Sequence, residues 1–108
     1  MAELVVLNRF RVPEDVERFR VEAQGALDAL AARPGFVDGA LARNLDDSGL
    51  WVLTTTWENV GSYRRALSAY DVKVSAVPLL SLAVDEPSAY ELLAPTDVPN
   101  DPQARELD

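Results

Sequence analysis

The apolar residues of this chain recur with two different spacings, one typical of strands and one typical of helices. The places where the spacing changes predict the secondary structure. Four segments have the short β-branched or alternating pattern typical of strands: residues 3–10, 36–45, 50–58 and 84–93. After the first of these, apolar side chains recur at steps of three and four. This spacing predicts an amphipathic helix that is opened by Pro13 and stopped by the "RPG" sequence at residues 33–35.

A second helix is predicted after the third strand. Asn59 is a suitable N-cap, and an apolar stripe at helical spacing follows it: Val60, Tyr63, Ala66, Leu67 and Tyr70. Residues 71–83 are apolar around Pro78, and this pattern leaves two alternatives open, a broken helix or a packed loop.

Turn signals predict how the second and third strands are joined. Residues 46–49, "DDSG", have the composition of a tight turn, which makes the two strands antiparallel. Gly39 interrupts the second strand and predicts a bulge there. In the fourth strand, Pro87 indicates either a sheet edge or the start of the strand.

The order strand, helix, strand, strand, helix, strand predicts the βαββαβ pattern of a ferredoxin-like α+β fold. Its antiparallel sheet carries two helices on one face. The other face presents Val5, Leu7 and Val52, and no element is left to cover them. We therefore expect a homodimer that packs sheet against sheet. The predicted domain spans residues 1–93, and the acidic, proline-rich tail of residues 94–108 is expected to be disordered or loosely draped.

Composition excludes several classes of function. The chain has 108 residues, 18 acidic against 10 basic, and a formal net charge of −8, which argues against nucleic acid and anionic membranes as partners. It has no Cys and no His, so thiolate nucleophiles, imidazole bases and the usual zinc or haem ligands are missing. We therefore expect no bound metal or other cofactor. Because no segment has the pattern of a signal peptide or a membrane span, we expect a cytoplasmic protein.

Three segments carry a resemblance to a known family. "VVLNRFRVPE", "RPGFVDG" and "WVLTTTWENVGSYRRAL" resemble the antibiotic biosynthesis monooxygenase domain, a dimeric α+β barrel. The resemblance extends over residues 3–93 and implies a pocket between the sheet and the helices of each subunit. It also implies one of two activities, cofactor-free oxygenation of aromatic polyketides or degradation of haem.

The residues separate these two activities. Haem-degrading members resemble this chain at Asn8 and Trp57, but they also supply an axial His near the position of Ala66, and this chain has none. The cofactor-free oxygenases have a Trp at the end of the third strand and a Tyr six residues later, as Trp57 and Tyr63 are placed here. They also have an Asn four residues before the Trp, where this chain has Leu53. The resemblance therefore implies a monooxygenase that needs no cofactor and acts on an aromatic or quinone-type small molecule.

The predicted site combines aromatic walls with neutral hydrogen-bond donors. Asn8, the Trp57 indole and the Tyr63 hydroxyl are the expected catalytic groups, because donors in a dry pocket stabilise the substrate anion that reduces dioxygen. Four further residues are expected to bind the ligand: Phe10, Trp51, Thr55 and Arg64. No base is identified, so either the substrate is acidic enough to ionise or a carboxylate with a raised pKa accepts its proton.

Structural explanations of the same residues remain open. Trp57 and Tyr63 are also typical of core packing, Asn8 of a buried structural hydrogen bond, and Arg64 of a solvated helix face. Two alternatives to an enzyme therefore stay open: a non-catalytic small-molecule binder that uses the same pocket, and a structural homodimer whose pocket is filled by its own side chains.

Overall fold

The computed structural model describes residues 2–98. Four strands and four helices follow one another in this part of the chain: β1 (Leu4–Arg11), α1 (Val16–Ala31), β2 (Phe36–Arg43), β3 (Leu50–Trp57), α2 (Val60–Ser68), α3 (Tyr70–Ser75), α4 (Val77–Leu80) and β4 (Ala89–Glu91).

The four strands form one antiparallel sheet in the order β2-β3-β1-β4. This arrangement confirms the ferredoxin-like α+β fold. In the central pair, Leu4 lies opposite Trp57 and Phe10 lies opposite Trp51. Because residues directly opposite each other point to the same side of an antiparallel sheet, this register decides which side chains share a face.

One face of the sheet is covered by all four helices. The core combines the inward-facing apolar residues of β1 and β3 with buried residues of each helix, among them Phe19, Ala66, Val72 and Leu79. The opposite face therefore carries no helix within residues 2–98. There Val5, Leu7 and Val52 are partly exposed, as the alternation of the sequence predicts.

The first helix begins later than predicted. Pro13 was expected to open it, but α1 starts at Val16. The preceding residue, Asp15, has φ 56° and ψ 47°. This left-handed conformation is incompatible with a right-handed helix, so the helix cannot include Asp15 or the residues before it.

The irregularity of β2 lies two residues before the predicted position. Its register shifts between Phe36 and Asp38, and Gly39 is regularly paired with Thr55. Gly39 instead permits close packing, because a Cβ there would lie 2.7 Å from Cδ1 of Leu27 on α1.

The turn between β2 and β3 is longer than predicted, since β2 ends at Arg43 rather than at Leu45. The Asn44 side chain accepts hydrogen bonds from the backbone N–H groups of Asp46 and Asp47, at 2.8 and 2.9 Å. These bonds satisfy the backbone locally, so the chain leaves the ladder at Asn44.

Asn59 caps α2 as predicted, accepting a hydrogen bond from the Ser62 backbone N–H at 2.8 Å. The helix ends at Ser68, so Tyr70 does not belong to its apolar stripe and is 78% exposed at the start of α3. Of the two alternatives for residues 71–83, the structure has the broken helix, because α3 and α4 are separated by Ala76.

The last strand is shorter than the predicted residues 84–93. Only Ala89–Glu91 pair with β1, at an edge of the sheet, and Pro87 precedes them. The predicted tail begins at residue 94, and residues 99–108 of it lie outside the described part of the chain. No helix within residues 2–98 has the length and apolar character needed to cross a bilayer, and the cytoplasmic location stays a prediction.

Candidate functional site

Trp57 closes β3 and is fully enclosed between the sheet and the helices, with 0% of its surface exposed. Its indole N–H donates a hydrogen bond of 2.9 Å to the hydroxyl oxygen of Thr55, which is itself 3% exposed. A buried indole usually has such an acceptor. The Trp57 N–H is thus used inside the protein, and Thr55 fixes the orientation of the ring.

Two aromatic rings pack against the Trp57 indole, one from the neighbouring strand and one from the following helix. Phe36, the first residue of β2, meets it edge-on with ring centroids 5.3 Å apart and an interplanar angle of 89°. Tyr63 from α2 packs against it with centroids 5.7 Å apart and an angle of 51°. Burial raises the pKa of the Tyr63 phenol above its ordinary value, so this hydroxyl remains a proton donor at neutral pH.

Asn8 lies on the same face of the sheet as Trp57. It is paired with Leu53 on β3, whereas Trp57 is paired with Leu4, four positions away along β1. At about 3.3 Å per residue the two positions are separated by roughly 13 Å along the strand. Asn8 is partly exposed, and its amide is the polar group in a row that otherwise contains Leu4, Val6 and Phe10 on this face.

The other predicted ligand-binding residues lie in different surroundings. Phe10 and Trp51 are opposite each other at the far end of β3, and both pack on Phe19 of α1, with centroid distances of 5.3 and 5.6 Å. Arg64 is exposed on α2. The structure therefore brings Thr55, Trp57 and Tyr63 together, places Phe10 and Trp51 in a second aromatic group, and leaves Arg64 at the surface.

Among the cavities that border the described residues are four that are lined by residues other than Asn8, Thr55, Trp57 and Tyr63. A groove of about 930 Å³ lies between α1 and the edge strand β2. Its charged lining residues include Arg20 and Arg43, neither of which is among the predicted site residues. The alternation of β2 could have indicated Arg43, because it lies two and four residues after Leu41 and Gly39 and therefore on the same, helix-covered face of the sheet.

No group of three carboxylates suited to a metal ion occurs within residues 2–98. The candidate site offers the Thr55 and Tyr63 hydroxyls beside the Trp57 ring, and the Asn8 amide lies on the same face roughly 13 Å farther along the strand. They can orient an aromatic molecule and donate hydrogen bonds to its oxygen atoms.

Comparisons with solved structures identify several proteins with this fold. SnoaB, a cofactor-independent oxygenase from Streptomyces nogalater, is 26% identical and superposes with a TM-score of 0.71 over 93% of this chain and 100% of its own. A conserved protein from Methanosarcina mazei Go1 is 21% identical, with a TM-score of 0.69 over 83% of this chain and 92% of its own. A Deinococcus radiodurans protein, provisionally named an antibiotic biosynthesis monooxygenase, is 17% identical, with a TM-score of 0.70 over 90% and 99%.

No curated protein sequence matches the chain significantly. The family model described as antibiotic biosynthesis monooxygenase matches residues 4–74, which is more than half of the chain and includes β1 through α2. The chain therefore belongs to the antibiotic biosynthesis monooxygenase family.

Proposed function

We propose that this protein is a cofactor-independent monooxygenase that oxidises an aromatic or quinone-type small molecule. The observation that carries the proposal is the enclosed Trp57–Tyr63 pair, centroids 5.7 Å apart, with Asn8 on the same face of the sheet. Family membership supports a monooxygenase. The likeness to SnoaB, at 26% identity, supports chemistry without a cofactor.

The proposed reaction starts from the anion of a phenolic or enolic substrate. This anion passes one electron to dioxygen, and the resulting radical and superoxide combine to form a C–O bond. The peroxide anion takes back the proton that the substrate released on ionisation and then loses water with the hydrogen on the same carbon, so that one oxygen atom remains in the product as a carbonyl and the other leaves as water. The protein's part is to bind the substrate away from bulk water and stabilise the negative oxygen.

Each residue has a distinct proposed role. The protonated Tyr63 hydroxyl, beside Trp57, donates a hydrogen bond to one substrate oxygen, and Asn8, farther along the sheet, donates to another. Trp57 is a positioning residue, since its N–H is already bonded to Thr55. The Thr55 hydroxyl proton is not used in a described hydrogen bond within residues 2–98, and polarisation by the indole N–H strengthens it as a third donor.

Oxygen consumption with anthrone tests the proposal. We expect uptake of one dioxygen per anthraquinone formed, without added flavin or metal and in the presence of EDTA. Asn8→Ala and Trp57→Phe should both lose most of this activity, whereas Tyr70→Phe, at a residue 78% exposed, should keep it. Unchanged turnover in both site variants would discard the site.

A second candidate is a non-catalytic binder or structural homodimer of the same fold. It is favoured by the complete burial of Trp57 and by the absence of its neighbours from the four cavities described above. A binder without activity would show ligand-dependent thermal stabilisation but no product. A scaffold would show neither.

We also propose that two copies associate through the open face of the sheet. Val5, Leu7 and Val52 on this face are partly exposed and have no helix over them within the described residues, and an apolar face of this kind favours association. Sedimentation at micromolar concentration should show a dimer, and Leu7→Lys should dissociate it. A wild-type monomer under these conditions would exclude the interface.

A further inference from the structure

The groove between α1 and β2 has the shape and chemistry of a second binding site. It is the cavity of about 930 Å³ described above, within the range typical of small-molecule pockets. One wall is a stripe of α1 at steps of three and four residues: Val16, Arg20, Gln24 and Leu27. The other wall is the inward-facing side of β2, and Trp51 of β3 lies at the base.

The register directs the Arg43 side chain to this groove. Arg43 is paired with Trp51, so both side chains lie on the helix-covered face of the sheet. Its guanidinium carbon lies 5.6 Å from the centroid of the Trp51 ring, a cation–π contact. Arg43 is exposed on the edge strand, and its guanidinium rests on the Trp51 indole at the side of the groove.

The groove has a small excess of positive charge, although the chain as a whole is acidic. Arg43 forms no ion pair within residues 2–98, and Arg20 has only a loose pair with Glu17, at 3.8 Å. The groove therefore has two arginines and one carboxylate, in a chain with a formal net charge of −8. A local reversal of charge favours an anionic ligand.

Trp51 supplies an independent observation. It is 93% buried, since 7% of its surface is exposed, and its indole N–H has no hydrogen-bond partner within the described residues. The Trp57 N–H, by contrast, is paired with Thr55. An unpaired buried donor is costly, so its presence beside a groove indicates a place where a ligand oxygen supplies the missing acceptor.

We propose that this groove binds an aromatic carboxylate or a similar planar anion. Arg20 and Arg43 pair with the anionic group, and the ring system lies against the apolar wall formed by Val21 and Leu41. The site is separate from the Trp57 cluster, because Trp51 and Trp57 are six residues apart on β3, roughly 20 Å along an extended strand. The proposal thus stands independently of the proposed oxygenase.

Fluorine NMR of protein labelled with 5-fluorotryptophan tests the location of binding. The chain contains two Trp residues, so two signals are expected, and Trp51→Phe assigns them by deleting one. If that variant does not fold, Trp57→Phe makes the same assignment. Addition of 2-naphthoate should shift the Trp51 signal and leave the Trp57 signal in place. A shift of the Trp57 signal alone would overturn the proposal.

Affinity measurements by calorimetry test the chemistry. Loss of one charge-assisted hydrogen bond, in Arg43→Gln or Arg20→Gln, should weaken 2-naphthoate binding roughly tenfold. The neutral 2-naphthamide should bind more weakly and be insensitive to both variants. Arg18→Gln is the matched control on the same helix, since Arg18 pairs with Glu22 outside the groove and should leave the affinity unchanged.

Equal binding of the acid and the amide, or wild-type affinity in both arginine variants, would overturn the proposal. Oxygen uptake with anthrone separates this result from the proposed function. Arg43→Gln should leave that uptake at the wild-type rate, whereas failure of the oxygenase would show as no uptake in any protein.

Discussion

Replacing Thr55 by Val tests how the indole of Trp57 is held. The substitution keeps the branched shape of the side chain but removes the oxygen that accepts the Trp57 N–H at 2.9 Å. Thr55 is 3% exposed and Trp57 0% exposed, so water cannot replace the lost acceptor without opening the core. The perturbation therefore isolates one buried hydrogen bond.

The expected cost follows from the burial of both partners. A buried donor left without an acceptor typically destabilises a protein by about 1–3 kcal/mol. The apolar γ-methyl of Val gains a little from burial, which favours the lower half of this range. We expect Thr55→Val to reduce the free energy of unfolding by about 1.5 kcal/mol, within the span set for an unsatisfied buried group.

Urea unfolding at one fixed protein concentration, followed by circular dichroism, measures this change. A fixed concentration is needed because any association adds to the apparent stability. Thr56→Val is the matched control. Thr56 is the next residue on β3 and points to the open face, and within residues 2–98 its hydroxyl has no described hydrogen bond. It should change the stability by less than about 0.5 kcal/mol.

The double variant decides the interpretation. In a Trp57→Phe background the N–H is absent, so adding Thr55→Val should cost much less than it does in the wild type. Equal costs in the two backgrounds would refute the assigned hydrogen bond, as would a Thr55→Val protein as stable as the Thr56→Val control.

Three further predictions concern residues that surround Trp57: Gly35, the α2 cap Asn59 and Tyr63. Gly35→Ala should lower the free energy of unfolding by more than about 1 kcal/mol, because the φ of Gly35 is 89° and the new Cβ would also lie 2.3 Å from the Ser62 side chain. Gly25→Ala, in helix α1 with nothing within 4 Å of the new Cβ, should instead raise the free energy of unfolding by about 0.5–1 kcal/mol. Equal effects of the two substitutions in urea unfolding would contradict this reasoning. Asn59→Ala should lower the free energy of unfolding by about 1 kcal/mol through loss of the α2 cap, and no change in the urea midpoint would argue against the cap. In an ultraviolet pH titration, one of the three tyrosines should ionise above the ordinary value of 10.0, because burial raises the pKa of Tyr63; since the folded state disfavours that ionisation, stability should fall as the pH rises past 10.0, and a late step that persists in Tyr63→Phe would refute the assignment.

Much of the fold could be predicted from the sequence because its determinants are local. The alternation in residues 50–57 appears directly in the burial of β3, and the Asn59 cap depends on a residue only three positions away. The boundaries that failed depend on single backbone angles or on competing side-chain bonds. Asp15 delays α1 through its positive φ, and the Asn44 side chain ends β2 early.

The candidate site could be predicted only in part. The sequence indicated that Trp57 lies on the inner face and that Tyr63 lies near it, since strand and helix periods determine those directions. It did not show that Thr55 accepts the Trp57 N–H, because that bond requires particular side-chain rotamers. The alternation of β3 places Trp51 and Trp57 on the same face, so both were predicted to line one site. In the structure Trp51 packs on Phe19 at the other end of the strand.

By itself, then, the sequence determined the order of the elements, the inner and outer faces of the strands and the family to which the chain is similar, because each of these follows from patterns between near neighbours. The tertiary structure alone decided that Arg43 lies over Trp51 and faces α1 across an open groove. That arrangement depends on the register between β2 and β3 and on the approach of α1 to Gly39, which are contacts between residues far apart in the chain.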